Sequence, residues 1–333
     1  MLSNMINAKK IILVGTGGTI AGIVEDPARA HVYADSQLPI EEVVRQLPRP
    51  VGVKIEPIQL WKLGSEDFTE SIWRGLFLHL EQQLRRSDVA GIVLTQGTDT
   101  IEETAFFLSL TLRSDKPVVI TGAMRPSGAL SSDAYLNVYQ ATALAAHPSA
   151  KGKGTLVLMN ERIYSPEDVV KSHTFAADSF GSSDWGPLGI MLGADPQWRR
   201  LPSREPALQV PAAFAEVPLP RVDLLWGYAG IQPDTISSAV ANGASGIVYA
   251  GTGNGSIAAQ VKPAIRQASQ LGCAVVRASR SAGGMVVRNA AENDDELQTI
   301  AASGFSAVKS RILLQLGLAL KMKRSALQTL FDA

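Results

Sequence analysis

The sequence predicts an α/β protein with a larger N-terminal domain on a parallel sheet and a smaller C-terminal α/β domain. Three observations carry this expectation. Short β-branched runs alternate with stretches of helical apolar spacing. Two of the runs lead directly into threonine-bearing glycine turns: Gly15-Thr16-Gly17-Gly18-Thr19-Ile20-Ala21-Gly22 after residues 11–14, and Thr95-Gln96-Gly97-Thr98-Asp99-Thr100 after residues 89–94. A proline-dense stretch interrupts the alternation once, at residues 195–220.

Taken in order, strands are expected at 11–14, 92–95, 118–121 and 155–159. Helices are expected at 101–112, where Ile101, Ala105, Leu108 and Leu112 fall on one face, and at 134–146. Such alternation favours a doubly wound parallel sheet with right-handed crossovers. Its ligands belong at the carboxyl ends of the strands, where both threonine turns lie. Residues 23–36 are polar and irregular, and leave the first turn directly. They read either as a surface connection or as a lid over a site. Proline density at 195–220 stops helices and interior strands, so this stretch reads as an interdomain linker. The expected division is 1–199, a linker at 200–220, and 221–333. Alternation resumes at 222–226, 235–242, 246–250, 256–270 and 274–277, and ends in helices near 306–321 and 325–331.

Composition narrows the function. The 333 residues suffice for a large core in two domains. Lys+Arg and Asp+Glu are equal at 31 each, so there is no basic excess to meet nucleic acid or an anionic membrane. A small ligand is the better expectation. Cys273 is the single cysteine, beside the apolar Ala274-Val275-Val276, and reads as a structural thiol. Residues 1–10 lack the apolar stretch of a secretory signal, and no run approaches the roughly twenty apolar residues of a membrane span. The expected location is cytoplasmic.

The motifs exclude several chemistries. Counted from Gly15 and Gly17, the last position of a dinucleotide fingerprint falls on Ile20, so a dehydrogenase is disfavoured. Gly-x-Ser-x-Gly is absent, and the four histidines show no metal spacing. What remains is two hydroxyl-bearing turns whose backbone can approach a ligand. Thr19 reads as a nucleophile or as a helix cap. Thr98 and Asp99 read as ligand-facing groups at a helix N-terminus, or else Asp99 with Glu102, or Thr100 with Glu103, forms a capping box. Ser65 and Glu66 read as substrate-binding groups, in a turn where Asp67 and Glu70 would cap the next helix. Lys171 alone is a solvated lysine; buried, it could activate a hydroxyl. Gly253-Asn254-Gly255 follows a strand as the first turn does. Ala291-Glu292-Asn293-Asp294-Asp295 reads most simply as an exposed acidic loop.

In this order the motifs resemble the bacterial-type L-asparaginase and glutaminase-asparaginase family. The resemblance rests on Thr16-Gly17-Gly18-Thr19, Gly97-Thr98-Asp99-Thr100, Gly122-Ala123-Met124-Arg125-Pro126, Met159-Asn160, Asp168-Val169-Val170-Lys171, Trp185-Gly186-Pro187-Leu188-Gly189, Gly253-Asn254-Gly255 and Arg311-Ile312-Leu313-Leu314-Gln315-Leu316. It spans about residues 10–331 and implies an amidohydrolase that turns asparagine into aspartate and ammonia without metal or organic cofactor. It implies Thr19 as nucleophile, Tyr33 on the lid to orient or activate it, and Thr98 with Lys171 and Asp99 as a second polar relay. Ser65 and Glu66 then hold the substrate's α-carboxylate and α-amino groups, with Asp99 also facing the amino group. The resemblance further implies a homotetramer in which Asn254 and Glu292 reach a neighbouring subunit's site. Two departures stand out. Gln96 stands where many members have His. Glu66 stands where strict asparaginases often carry Gln, and relatives with Glu there often accept glutamine. A glutaminase-asparaginase is therefore the alternative enzyme, and an amino-acid-binding protein without activity the alternative of another class.

Overall fold

The computed structural model describes residues 9–48, 50, 52–182, 184–202, 208 and 217–332. It divides into two compact units, one within residues 1–206 and the other within 207–333. The expected linker, 200–220, lies for the most part outside the described residues.

The first unit runs β1 (Lys9–Gly17), α1 (Ile40–Gln46), β2 (Val53–Leu63), α2 (Glu70–Arg85), β3 (Val89–Thr95), α3 (Ile101–Thr111), β4 (Val118–Thr121), α4 (Ala134–Ala146), β5 (Thr155–Met159), β6 (Arg162–Tyr164), β7 (Val169–Lys171), β8 (Phe180–Ser182), β9 (Gly189–Leu192) and β10 (Asp195–Trp198). An eight-stranded sheet has the order β10-β9-β6-β5-β4-β3-β1-β2, while β7 and β8 form a separate hairpin. Strands β2-β1-β3-β4-β5 are parallel. Residues 11–14 and 92–94 are fully buried, which explains why these strands read as unbroken apolar runs. Ile11 and Leu13 pack with Val43 and Val44 of α1 and Val138 and Leu144 of α4. On α2, Trp73 stacks on Phe107 of α3 at 5.4 Å and donates to Thr104 Oγ1 at 3.0 Å.

The wholly parallel sheet is corrected at one edge, where β5–β6, β6–β9 and β9–β10 pair antiparallel. The cause is local. Asn160 and Glu161 both have positive φ, 48° and 63°, and form the two-residue turn that reverses the chain between β5 and β6. The proline-rich break also starts later than residue 195, because residues 195–198 are edge strand β10. Pro196 is tolerated there because an edge strand has no second neighbour to receive an N–H.

The second unit runs β11 (Val222–Trp226), α5 (Asp234–Ala241), β12 (Gly246–Gly251), α6 (Lys262–Gln270), β13 (Ala274–Ser279), α7 (Asp294–Leu297), β14 (Ile300–Ala301), α8 (Ala307–Ala319) and α9 (Arg324–Asp332). Its four-stranded sheet, β11-β12-β13-β14, is parallel throughout. Its core includes Ile236, Ile247, Tyr249, Val261, Ile265 and Cys273. Burial pushes the Cys273 thiol up to about 11, consistent with an unreactive packing residue. Among the described residues no helix is long and apolar enough to cross a membrane.

Candidate active site

The strand order β2-β1-β3-β4-β5 reverses direction between β1 and β3. A doubly wound sheet opens a crevice at such a switch, outside the carboxyl ends of the two strands. The turn after β1 carries Thr19 and the turn after β3 carries Thr98. The floor is backbone packed on backbone. A Cβ at Gly18, where φ is +83°, would stand 2.3 Å from Gly97 Cα, and a Cβ at Gly97 would stand 2.9 Å from Ser65 Oγ. No side chain fits at either position, so three loops converge: the Thr19 turn, the Thr98 turn and the Ser65 turn that follows β2.

Two hydroxyls on the first turn separate in role. Thr16 is fully buried and donates to the Thr95 carbonyl at 2.8 Å, which makes it a strut between β1 and β3. Thr19 begins a short 3-10 turn whose cap is Gly18, so its side chain is not a helix cap. Its Oγ1 lies 2.7 Å from the Tyr33 hydroxyl. Burial pushes the Tyr33 phenol up; the Thr19 contact opposes this, and Asp35, Asp99 and Glu66 add to it. The ring is therefore neutral at pH 7. A neutral phenol can orient Thr19 and pass a proton along, but it is not a stored phenolate base.

On the second turn neither capping alternative forms, since no side-chain cap bond is made at Gly97 or at Thr100. Thr98 instead accepts from Lys171 Nζ at 2.9 Å, and Lys171 also pairs with Asp99. Lys171 arrives at the end of β7, held by the β7–β8 hairpin. Its side chain is 12% exposed and that of Asp99 64%. A pair so open to water adds only about 0–1 kcal/mol to stability. Its consequence is geometric: a Thr98 oxygen that accepts from Lys171 keeps its own O–H free to donate. On the third turn Thr69, not Asp67, caps α2 by accepting from Ile72 N–H. Asp67 thus does not serve as the cap, while Ser65 is buried and Glu66 reaches the cleft.

Thr19, Tyr33, Ser65, Glu66, Thr98, Asp99 and Lys171 all line one cleft of about 800 Å³. Asn254 and Glu292 belong to the second unit and are not part of that lining. Asn254 Oδ1 accepts from Val287 N–H at 2.8 Å. The exposed acidic loop at 291–295 is corrected: Glu292 is buried, accepting from Ile257 N–H at 2.9 Å and pairing with Lys262 at 2.7 Å, and Asp294 is fully buried. Among the described residues no cluster of His, Cys, Asp and Glu is arranged to hold a metal ion.

The comparisons with known proteins bear on this geometry. Residues 10–204 match the family description "Asparaginase, N-terminal", and residues 221–331 match "Glutaminase/Asparaginase C-terminal domain". The chain belongs to the asparaginase family. It is 36% identical to a glutaminase-asparaginase of Acinetobacter glutaminasificans, over 96% of this chain and 98% of that protein. It is 33% identical to L-asparaginase 2 of Escherichia coli, over 97% of this chain and 92% of that one. The crystal structure of a probable cytoplasmic L-asparaginase from Campylobacter jejuni superposes with a TM-score of 0.89 at 33% identity, covering 97% of this chain and 99% of that one.

Gln96, marked in the sequence only as a departure from the family pattern, stands behind this asparaginase-family cleft: it donates to Thr100 Oγ1 at 3.1 Å, and Thr100 donates to the Ser65 carbonyl at 2.9 Å, so the second turn holds the third. Asp35 is on the cleft wall, and no motif marked it. Burial pushes its carboxyl above the ordinary value; bonds from Ser36 oppose this, while Glu66 and Asp99 add to it. A raised carboxylate costs stability when ionised. That cost is absent below the ordinary value and complete above the raised one. Asp35→Asn is therefore expected to melt at a higher temperature than the parent at pH 7. The gap closes as pH falls below about 4, where both states of the parent bind the proton. Equal melting temperatures at pH 7 would contradict this account.

Proposed function

We propose that this chain hydrolyses L-asparagine to L-aspartate and ammonia through an ester on Thr19. The observation that carries the reading is the pair of polar relays, Thr19–Tyr33 and Thr98–Lys171–Asp99, on one cleft. An amide carbonyl is a weak electrophile and a threonine hydroxyl a weak nucleophile. Dividing the reaction into acylation and deacylation replaces one high barrier with two lower ones. Thr19 Oγ1 bonds to the side-chain amide carbon while its proton is relayed through the neutral Tyr33 hydroxyl, which gives up its own proton to the amide nitrogen. The C–N bond then breaks and ammonia leaves. Water then opens the ester and regenerates the hydroxyl. The free Thr98 O–H and nearby backbone N–H groups stabilise the oxyanion, each such donor being worth about 3 kcal/mol. Glu66 and Asp99 supply negative charge for the α-ammonium, and Ser65 a hydroxyl for the α-carboxylate.

Glu66 supports a second reading, a glutaminase-asparaginase of dual specificity, and relatives of that name match over nearly the full chain. Ammonia release from asparagine and glutamine at equal concentration distinguishes the two. Release from asparagine alone supports the first, comparable release from both supports the second, and none from either supports a binding protein. The same reading includes a homotetramer in which Asn254 and Glu292 serve a neighbour's site. Its test is subunit mixing. Thr98→Ala and Asn254→Ala, each inactive alone, are expected to regain activity when refolded together; no regained activity would remove the sharing. Location in the cytoplasm is part of the proposal, supported by the likeness to the Campylobacter jejuni protein.

A further inference from the structure

Ser36 is a buried serine in a backbone conformation that serine rarely adopts, with φ of 56° and 7% exposure. A non-glycine residue is strained there, and it persists only where its surroundings over-determine it. Its hydroxyl shows what those surroundings are. Ser36 Oγ accepts from Gly18 N–H at 2.7 Å, and its one hydrogen has two acceptors at 3.0 Å, the Leu63 carbonyl and Asp35 Oδ2. Gly18 precedes Thr19. Leu63 ends β2, two residues before Ser65. The segment that carries Ser36 also carries Tyr33, three residues earlier, and is closed at its base by the pairing of Ile23 with Ala34. One hydroxyl thus joins the Thr19 turn, the base of the Tyr33 segment and the end of β2.

We propose that Ser36 is a positioning residue for the reaction at Thr19, its hydroxyl fixing the Gly18 peptide and with it the approach of Thr19 to Tyr33. The inference rests on the reading of Thr19 as nucleophile. Ser36 is not part of the cleft lining; it acts through Gly18. The Ser65 turn has a separate anchor, the Thr100 bond to the Ser65 carbonyl. Losing the Ser36 hydroxyl therefore loosens the nucleophile while leaving the substrate-holding turn in position. Small displacements of a reacting group cost rate steeply, up to about 100-fold for 1 Å.

The test uses two variants of the full chain, Ser36→Ala and Ser36→Gly, with Thr19→Ala alongside. Alanine keeps the unfavourable φ and removes the hydroxyl; glycine removes both. Stability and turnover should therefore part company. Ser36→Gly is expected to melt higher than Ser36→Ala, by the relief of the backbone. Both are expected to lose kcat by about 10-fold or more, with KM for asparagine within about 3-fold of the parent. Parental kcat in a folded Ser36→Gly overturns the proposal, as does a loss that tracks melting temperature across the pair. The control separates the two readings: inactive Thr19→Ala with fully active Ser36 variants overturns only the role of Ser36, whereas an active Thr19→Ala overturns the nucleophile and the Ser36 inference with it.

Discussion

Thr19→Ala is expected to lower kcat for asparagine by about 1,000-fold or more while leaving the melting temperature close to the parent's. On the proposed mechanism the rate effect is large because the hydroxyl is the atom that bonds to carbon; without it both half-reactions lose their covalent intermediate. The residual rate comes from the Thr98 hydroxyl and the backbone donors, which still stabilise an oxyanion formed by water. Stability is spared because, among the described residues, Thr19 Oγ1 bonds only to the Tyr33 hydroxyl, which is partly open to solvent. Steady-state kinetics with a thermal melt on the same preparation checks both halves. A folded Thr19→Ala with parental turnover would transfer the chemistry to another group.

The second large effect concerns stability. Arg277→Met is expected to lower the unfolding free energy by about 3–5 kcal/mol, seen as a lower urea midpoint. Arg277 and Asp294 are both fully buried and joined by two bonds, Nε to Oδ1 at 2.8 Å and Nη2 to Oδ2 at 2.6 Å. Arg277 also donates to the carbonyls of Asn254 and Val287, and Asp294 accepts from Thr299 and from Asn289 N–H. Removing one partner strands the other charge without solvent. Arg277→Met combined with Asp294→Leu should therefore cost less than Arg277→Met alone. The pH dependence follows. Burial pushes the Asp294 carboxyl up, but the bonds from Arg277, Asn289 and Thr299 outweigh it and hold the group below its ordinary value. Stability from this pair is present above about pH 4 and is lost as pH falls through the lowered value. The single variant should show a flatter acid dependence. A midpoint indistinguishable from the parent's would refute the argument.

The strands that build the cleft were legible because burial on both faces leaves unbroken apolar runs at 11–14 and 92–94. Strand β2 was not. It lies at the sheet edge, carries Lys54, Glu56 and Lys62, and contains Pro57, a composition that half-exposed edge strands tolerate and that reads as loop. Strands β6 to β10 span only three or four residues each, too few for a period to register. Within the site, spacing alone could not separate Thr19 as nucleophile from Thr19 as cap, nor rescue Lys171 from the reading of a solvated surface lysine. Lys171 meets Thr98 across 73 positions of sequence, and no local pattern encodes such a meeting. The resemblance implies that grouping; the fold brings Lys171 within bonding distance of Thr98 and Asp99. Asp35 and Ser36 match no motif, and their relation to Gly18 became visible only in three dimensions.

The contact of Gly18 with Gly97 has a practical consequence for anyone seeking to alter what this cleft accepts. Its base is made of main chain with no room for a methyl group, so randomising those positions would chiefly harvest collapsed or misassembled protein. Useful variation belongs at lining side chains that stand open to solvent outside the two polar relays, such as Leu130 and Phe175.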